Sequence, residues 1–171
     1  MLFQKLSFVF ALCVLTDCAY INLPGQPFDF QCPAGQVISR VSSVYDVLLE
    51  DRQWEFGCRT ENVTQTCSTS GYANDFGLPL SYSCPGKKVL TGIRSYHDNQ
   101  IEDRRFTFRC CDVMSKATTG CHVSEQVNQF NGPMLLEVSA GQAIKGAISQ
   151  HDVAFEDRVW KFKLCKVSSR Y

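Results

Sequence analysis

The sequence predicts an all-β fold of three similar units, stapled by disulfides and arranged about a pseudo-threefold axis as a trefoil or prism. Three observations predict it: an internal repeat, the lack of sustained 3.6-residue periodicity beyond the first twenty residues, and an even set of cysteines in that same stretch.

The repeat aligns without gaps. Tyr45-Asp46 leads through Glu50-Asp51-Arg52 to Trp54 and Phe56, His97-Asp98 through Glu102-Asp103-Arg104 to Phe106 and Phe108, and His151-Asp152 through Glu156-Asp157-Arg158 to Trp160 and Phe162. The three Asp-Arg steps lie 52 and 54 residues apart, so each unit has room for about four short strands with ordinary turns.

Taken in order, residues 1–19 read as a secretory signal peptide: Lys5, an apolar run from Leu6 to Leu15, then small and polar residues to Ala19. That run falls short of the roughly 20 apolar residues that span a bilayer, and no later stretch approaches that length. Residues 20–171 form one domain, with repeats at about 28–66, 80–118 and 134–171. Each unit opens on a glycine turn, at Cys32-Pro33-Ala34-Gly35, Cys84-Pro85-Gly86 and Ala140-Gly141, and runs into a short strand. The acidic corner follows, then a strand in which aromatic and polar residues alternate, placing Trp54, Phe56 and Cys58 on one buried face. Two polar stretches, from Asn62 to Gly77 and from Asp112 to Pro133, read as long loops of the kind that carry binding. Asn62-Val63-Thr64 is an acceptor sequon, which marks Asn62 for glycosylation in a secreted chain.

Eight cysteines follow the leader. In an oxidising compartment they read as four disulfides, because no close Cys-x-x-Cys or Cys/His pair suggests zinc. Equivalent positions should make equivalent bridges, which gives Cys32–Cys58 and Cys84–Cys110, both 26 residues apart. Cys165 lacks an opening cysteine in its own unit and turns to Cys121, while Cys67 crosses to Cys111. Cys110 and Cys111 point to opposite faces of one strand, and the swap Cys84–Cys111 with Cys67–Cys110 stays open.

Gly35-Gln36-Val37-Ile38, the repeated Asp-Arg-x-Trp-x-Phe and the Cys110-Cys111 doublet resemble the dermatopontin family, in its invertebrate, hemagglutinin and amebocyte-aggregation-factor-like branch. The resemblance covers essentially all of residues 20–171. It implies a secreted, extracellular protein that promotes cell adhesion or agglutination by binding glycans, glycosaminoglycans or proteoglycans, collagen or cell-surface receptors. There is no Arg-Gly-Asp, which excludes integrin recognition through that tripeptide.

Candidate sites lie in the corners. Asp46, Glu50, Asp51, Asp98, Glu102, Asp103, Asp152, Glu156 and Asp157 offer oxygens suited to Ca²⁺, but an Arg within each cluster opposes a dication, and an internal Asp–Arg or Glu–Arg pair fixing each turn is the competing reading. Arg52, Arg104 and Arg158 could grip sulfates beside Trp54 and Trp160, although the alternation buries the indoles. His97 and His151 are equivalent residues, with Tyr45 in the third place, and they read as packing or hydrogen-bonding groups; His122 adjoins Cys121 without an evident partner. With no activated nucleophile and no Gly-x-Ser-x-Gly elbow, the sequence points away from an enzyme, and no cofactor is implied. Seventeen basic and seventeen acidic residues, none in long runs, argue against nucleic acid. Three activities remain: a binding protein that gains strength by avidity and can homo-oligomerise, a structural matrix component assembling with collagen or mineral, and a secreted toxin or defence factor.

Overall fold

The computed structural model describes residues 20–61, 63–114 and 116–169. Residues 1–19, expected to be a signal peptide, and the Asn62 sequon residue lie outside the described residues. Those residues form eleven strands and no helix: β1 (Phe28–Gln31), β2 (Gln36–Asp46), β3 (Asp51–Thr60), β4 (Val63–Thr69), β5 (Leu80–Ser83), β6 (Lys88–Asp98), β7 (Asp103–Val113), β8 (Lys116–Val123), β9 (Met134–Glu137), β10 (Gln142–Asp152) and β11 (Asp157–Ser169).

Three long antiparallel hairpins, β2–β3, β6–β7 and β10–β11, carry the repeated motif. In each, the acidic corner closes the same pair of residues: Asp46 faces Asp51, Asp98 faces Asp103, and Asp152 faces Asp157. Asp46 Oδ1 accepts the Leu48 and Leu49 amides at 2.9 and 3.2 Å, and Asp98 Oδ1 does the same for Gln100 and Ile101. Asp152 Oδ1 accepts the Ala154 amide at 2.8 Å. These are Asx turns, for which a short carboxylate two residues upstream is the required part. Each corner ends on a left-handed glutamate, with φ of 48° at Glu50 and Glu102 and 44° at Glu156.

The short strand before each hairpin pairs with the next hairpin along. β1 lies on β6, β5 lies on β10, and β9 returns to β2. A bulge is built at the same place each time, where Ser39, Thr91 and Lys145 stand out of register, and their carbonyls accept the amides of Val138, Cys32 and Cys84. Close backbone approach there explains Gly146, where a Cβ would meet the Tyr82 carbonyl oxygen at 2.1 Å.

The two polar stretches read as loops contain strands. β4 pairs with β7 and β8 with β11, forming two four-stranded sheets, β1-β6-β7-β4 and β5-β10-β11-β8, beside a three-stranded sheet, β3-β2-β9. Both added strands are edges with largely solvated side chains, so their sequences show little hydrophobic alternation, and tertiary pairing decides their state.

The main core is aromatic. Trp54, Phe106 and Trp160 meet edge to face with centroids 4.9–5.8 Å apart, the geometry that the ring quadrupoles prefer. A second, smaller core gathers Val37, Val89, Val113, Ala143 and Val167 around Cys111. Disulfides join Cys32–Cys58, Cys84–Cys110, Cys67–Cys111 and Cys121–Cys165. The first two fasten a donated strand back to its own hairpin. The other two pin β4 to β7 and β8 to β11.

Candidate functional site

The corners meet at one end of the molecule. Arg52 donates through Nε and Nη2 to both oxygens of Asp157 at 2.6 Å, Arg158 reaches Asp103 at 2.6 and 2.7 Å, and Arg104 reaches Asp51 at 2.6 and 2.5 Å. The three pairs form a closed ring in which every guanidinium crosses to another hairpin's carboxylate. Asp51 and Arg52 are adjacent in a strand and point to opposite faces, which turns each arginine away from the aspartate of its own turn. Each aspartate also accepts a backbone amide at 2.7 Å, from Gly25, Gly77 or Asn131, all three in the left-handed region. The guanidiniums are 3–4% exposed and thus committed inward.

The rest of the corner chemistry surrounds this ring. Glu50, Glu102 and Glu156 rim a small cavity floored by Trp54, Phe106 and Trp160. Burial raises the Glu102 carboxyl above the usual range; His97 offsets part of this, and the Glu50 and Glu156 charges add to it. His97 Nε2 lies 3.7 Å from Asp51 and 3.8 Å from Glu102, and His151 Nε2 lies 3.5 Å from Glu156. Tyr45 takes the third place and ties its corner to another: its hydroxyl donates to the Phe155 carbonyl at 3.0 Å. Asp46, Asp98 and Asp152 are occupied in their turns, and Asp51, Asp103 and Asp157 in the ring. Among the described residues no group of three or more His, Cys, Asp or Glu is disposed to hold a metal ion. Both indoles are buried, at 2% exposure, so neither presents a face to a sugar.

A cleft with recognition chemistry lies elsewhere, where β1 runs along β6. Phe28 forms its floor, and Asp29, Arg94, Tyr72 and Tyr96 line it. Asp29 and Arg94 are cross-strand neighbours, and Arg94 donates to Asp29 Oδ2 from Nη2 at 2.6 Å and Nε at 3.1 Å. Tyr72 and Tyr96 are 54% and 46% exposed. Their rings are held in place: Arg105 lies over Tyr72 at 4.1 Å and over Phe76 at 4.7 Å, and Phe76 packs against Tyr96 at 6.2 Å. An exposed aromatic pair beside a paired carboxylate and guanidinium offers a stacking surface and directional hydrogen bonds together. Register-equivalent positions carry Leu80 and Ser81 opposite Ser149 and Ile148, and Met134 and Leu135 opposite Ser43 and Ser42, so the cleft occurs at one junction of the three. The sequence reading missed it because its parts come from two units and form no linear motif. The only traces were Tyr72 in a polar stretch and the outward Arg94 and Tyr96 of an alternating strand.

A small all-β protein of repeated, cystine-locked hairpins closed by a buried Arg–Asp ring, with one aromatic and charged surface cleft, is the class defined by these features. The chain belongs to the dermatopontin family: the family model described as Dermatopontin matches residues 22–169. It is 34% identical over 153 residues to the hemagglutinin/amebocyte aggregation factor of Limulus polyphemus, covering 88% of this chain and 89% of that protein. It is 34% identical over 146 residues to Millepora cytotoxin-1 of Millepora dichotoma, covering 85% and 65%. Human dermatopontin is 26% identical over 159 residues, covering 90% and 79%. No solved structure matches the chain significantly.

Proposed function

We propose that this is a secreted adhesion and agglutination protein that engages saccharides of extracellular or cell-surface glycans in the Tyr72–Tyr96 cleft. The observation that carries the reading is the cleft itself: two exposed, propped tyrosine rings beside the Asp29–Arg94 pair. Sugar rings present an apolar face to aromatics and vicinal hydroxyls to a carboxylate and guanidinium, and a uronate or sulfate would be met by Arg94. The similarity to an agglutinating and aggregating protein supports the same reading. In this proposal residues 28–66, 80–118 and 134–171 are three repeats about a pseudo-threefold axis, and Arg52, Arg104 and Arg158 hold the frame together instead of touching ligand. Secretion and glycosylation at Asn62 belong to the proposal as well.

The test is a screen of neutral and sulfated glycans with folded protein, followed by Tyr72→Ala and Tyr96→Ala. Each substitution is expected to weaken saccharide binding about tenfold, which corresponds to about 1.4 kcal/mol. Folded protein that binds no glycan, or a Tyr72→Ala variant that binds as the parent does, would overturn the reading. A cytotoxic role is the second reading, favoured by the similarity to Millepora cytotoxin-1 and by the exposed corner residues Val47, Leu48, Leu49 and Val153. A haemolysis assay decides between them.

A further inference from the structure

We propose that the free edge of β3 docks against the β3 edge of a second copy of this chain, joining two three-stranded sheets into one and giving a two-cleft dimer. The inference rests on the saccharide reading only for its consequence, agglutination. The edge itself is read from the fold.

The three hairpins supply an internal control. β7 is covered along its outer edge by β4, and β11 by β8. The cover extends from these strands towards the corner: Ser70 donates its amide to the Phe108 carbonyl and accepts the Phe108 amide on Oγ, and Ser124 does both for Phe162. Among the described residues β3 has neither the covering strand nor the serine; it keeps only the contact nearest the corner, which Ala73 and Asn74 make to Phe106, and Val127 and Asn128 make to Trp160. Ile21 donates to the Trp54 carbonyl, and Asn22 accepts the Trp54 amide. Beyond Trp54, no strand among the described residues lies on that side. The consequence shows in burial. Phe108 and Phe162 are each 1% exposed, whereas Phe56 is half-buried, and Cys58 is likewise half-buried where Cys110 is fully enclosed.

Backbone alternation fixes what the edge presents. Since Trp54 bonds outward, Phe56, Cys58 and Thr60 also turn their N–H and C=O groups outward, a row that a strand satisfies and a globular side chain does not. A second copy fits this row in one antiparallel register, centred on Gly57 and ending on either side at Trp54, whose outward groups Ile21 and Asn22 already hold. It sets Phe56 against Cys58 of the other copy as hydrogen-bonded pairs, and Gly57 against Gly57 leaves the closest approach free of side chains. It also faces Glu55 with Arg59, so the seam brings opposite charges together. A register centred on Cys58 faces Glu55 with Glu61, and one centred on Arg59 sets Arg59 against itself. Arg59 and Glu55 retain their internal partners, the Val138 and Gln142 carbonyls and Arg40, because a guanidinium has five donors and a carboxylate about four acceptor positions.

The test is sedimentation of the folded chain over a concentration series, alongside Glu55→Arg and Tyr72→Ala. Glu55→Arg sets two arginines against each other across the seam and leaves the backbone row intact. The parent is expected to reach twice the chain mass, with Glu55→Arg raising the dimer dissociation constant at least tenfold. Glu55→Arg should bind a monovalent saccharide with unchanged affinity while losing agglutination; Tyr72→Ala should dimerise normally while binding saccharide about tenfold more weakly. Mixing Glu55→Arg with Arg59→Glu gives a second measurement, in which the seam charges are complementary again and a mixed dimer is expected. A parent that remains monomeric, whether bare or with another part of its own chain on the edge, overturns the inference, as does a dimer indifferent to Glu55→Arg. Failure of the saccharide reading alone would appear as normal dimerisation without glycan binding.

Discussion

The guanidinium of Arg104 illustrates how much of the fold rests on single side chains. It neutralises Asp51 in a site where both are nearly sealed from water, and its loss would strand a buried carboxylate. Arg104→Met is therefore expected to cost about 3–5 kcal/mol, read as a fall in the urea midpoint, and adding Asp51→Leu should recover part of it. Tyr45 gives a second prediction at this scale. Burial, followed by the Asp157 and Glu50 charges and only partly offset by Arg52, pushes its phenol up to about 12. The folded-state value lies above the ordinary 10.0, so the protonated phenol's contribution is fully present below pH 10 and is lost as pH rises towards 12. Denaturant midpoints measured between those values should fall in the parent more steeply than in Tyr45→Phe, with one late-ionising tyrosine in the ultraviolet titration.

Hairpins, at the next scale, repeat with substitutions that the fold has absorbed. Where two units close with Cys32–Cys58 and Cys84–Cys110, the third has Val138 and Leu164, which share the main core and stand 26 residues apart like the two cystine pairs. Val138 donates to the Ser39 carbonyl as Cys32 and Cys84 do to their bulges, so the backbone geometry is already in place. The double substitution Val138→Cys with Leu164→Cys is expected to form a disulfide unaided and to add about 3 kcal/mol, scored by thiol titration and by thermal unfolding with and without reductant. Arg59 shows the other kind of adjustment. It sits where β7 and β11 carry Cys111 and Cys165, and in place of a cystine it clasps the Val138 and Gln142 carbonyls.

For the whole molecule, closure is the organising fact: each hairpin receives a strand from another unit and sends an arginine to another unit's aspartate. Much of this was legible in the sequence. The repeated Asp-x-x-x-Glu-Asp-Arg-x-aromatic-x-Phe marked the corners and the buried aromatic strands, since alternation and turn chemistry are local properties written in consecutive residues. The cysteine spacings left the partners of Cys110 and Cys111 open, and the folded protein joins Cys84–Cys110 and Cys67–Cys111. β4 and β8 lie in stretches whose sequence reads as loop, because an edge strand has no buried stripe to announce it. The direction of the Arg–Asp pairs, the cleft between Tyr72 and Tyr96, and the open side of β3 were decided by tertiary structure alone. Strand exchange between like units leaves each unit's local pattern unchanged, so only the assembled ring determines which carboxylate meets which guanidinium, which side chains share a surface, and which backbone edge is left without a neighbour.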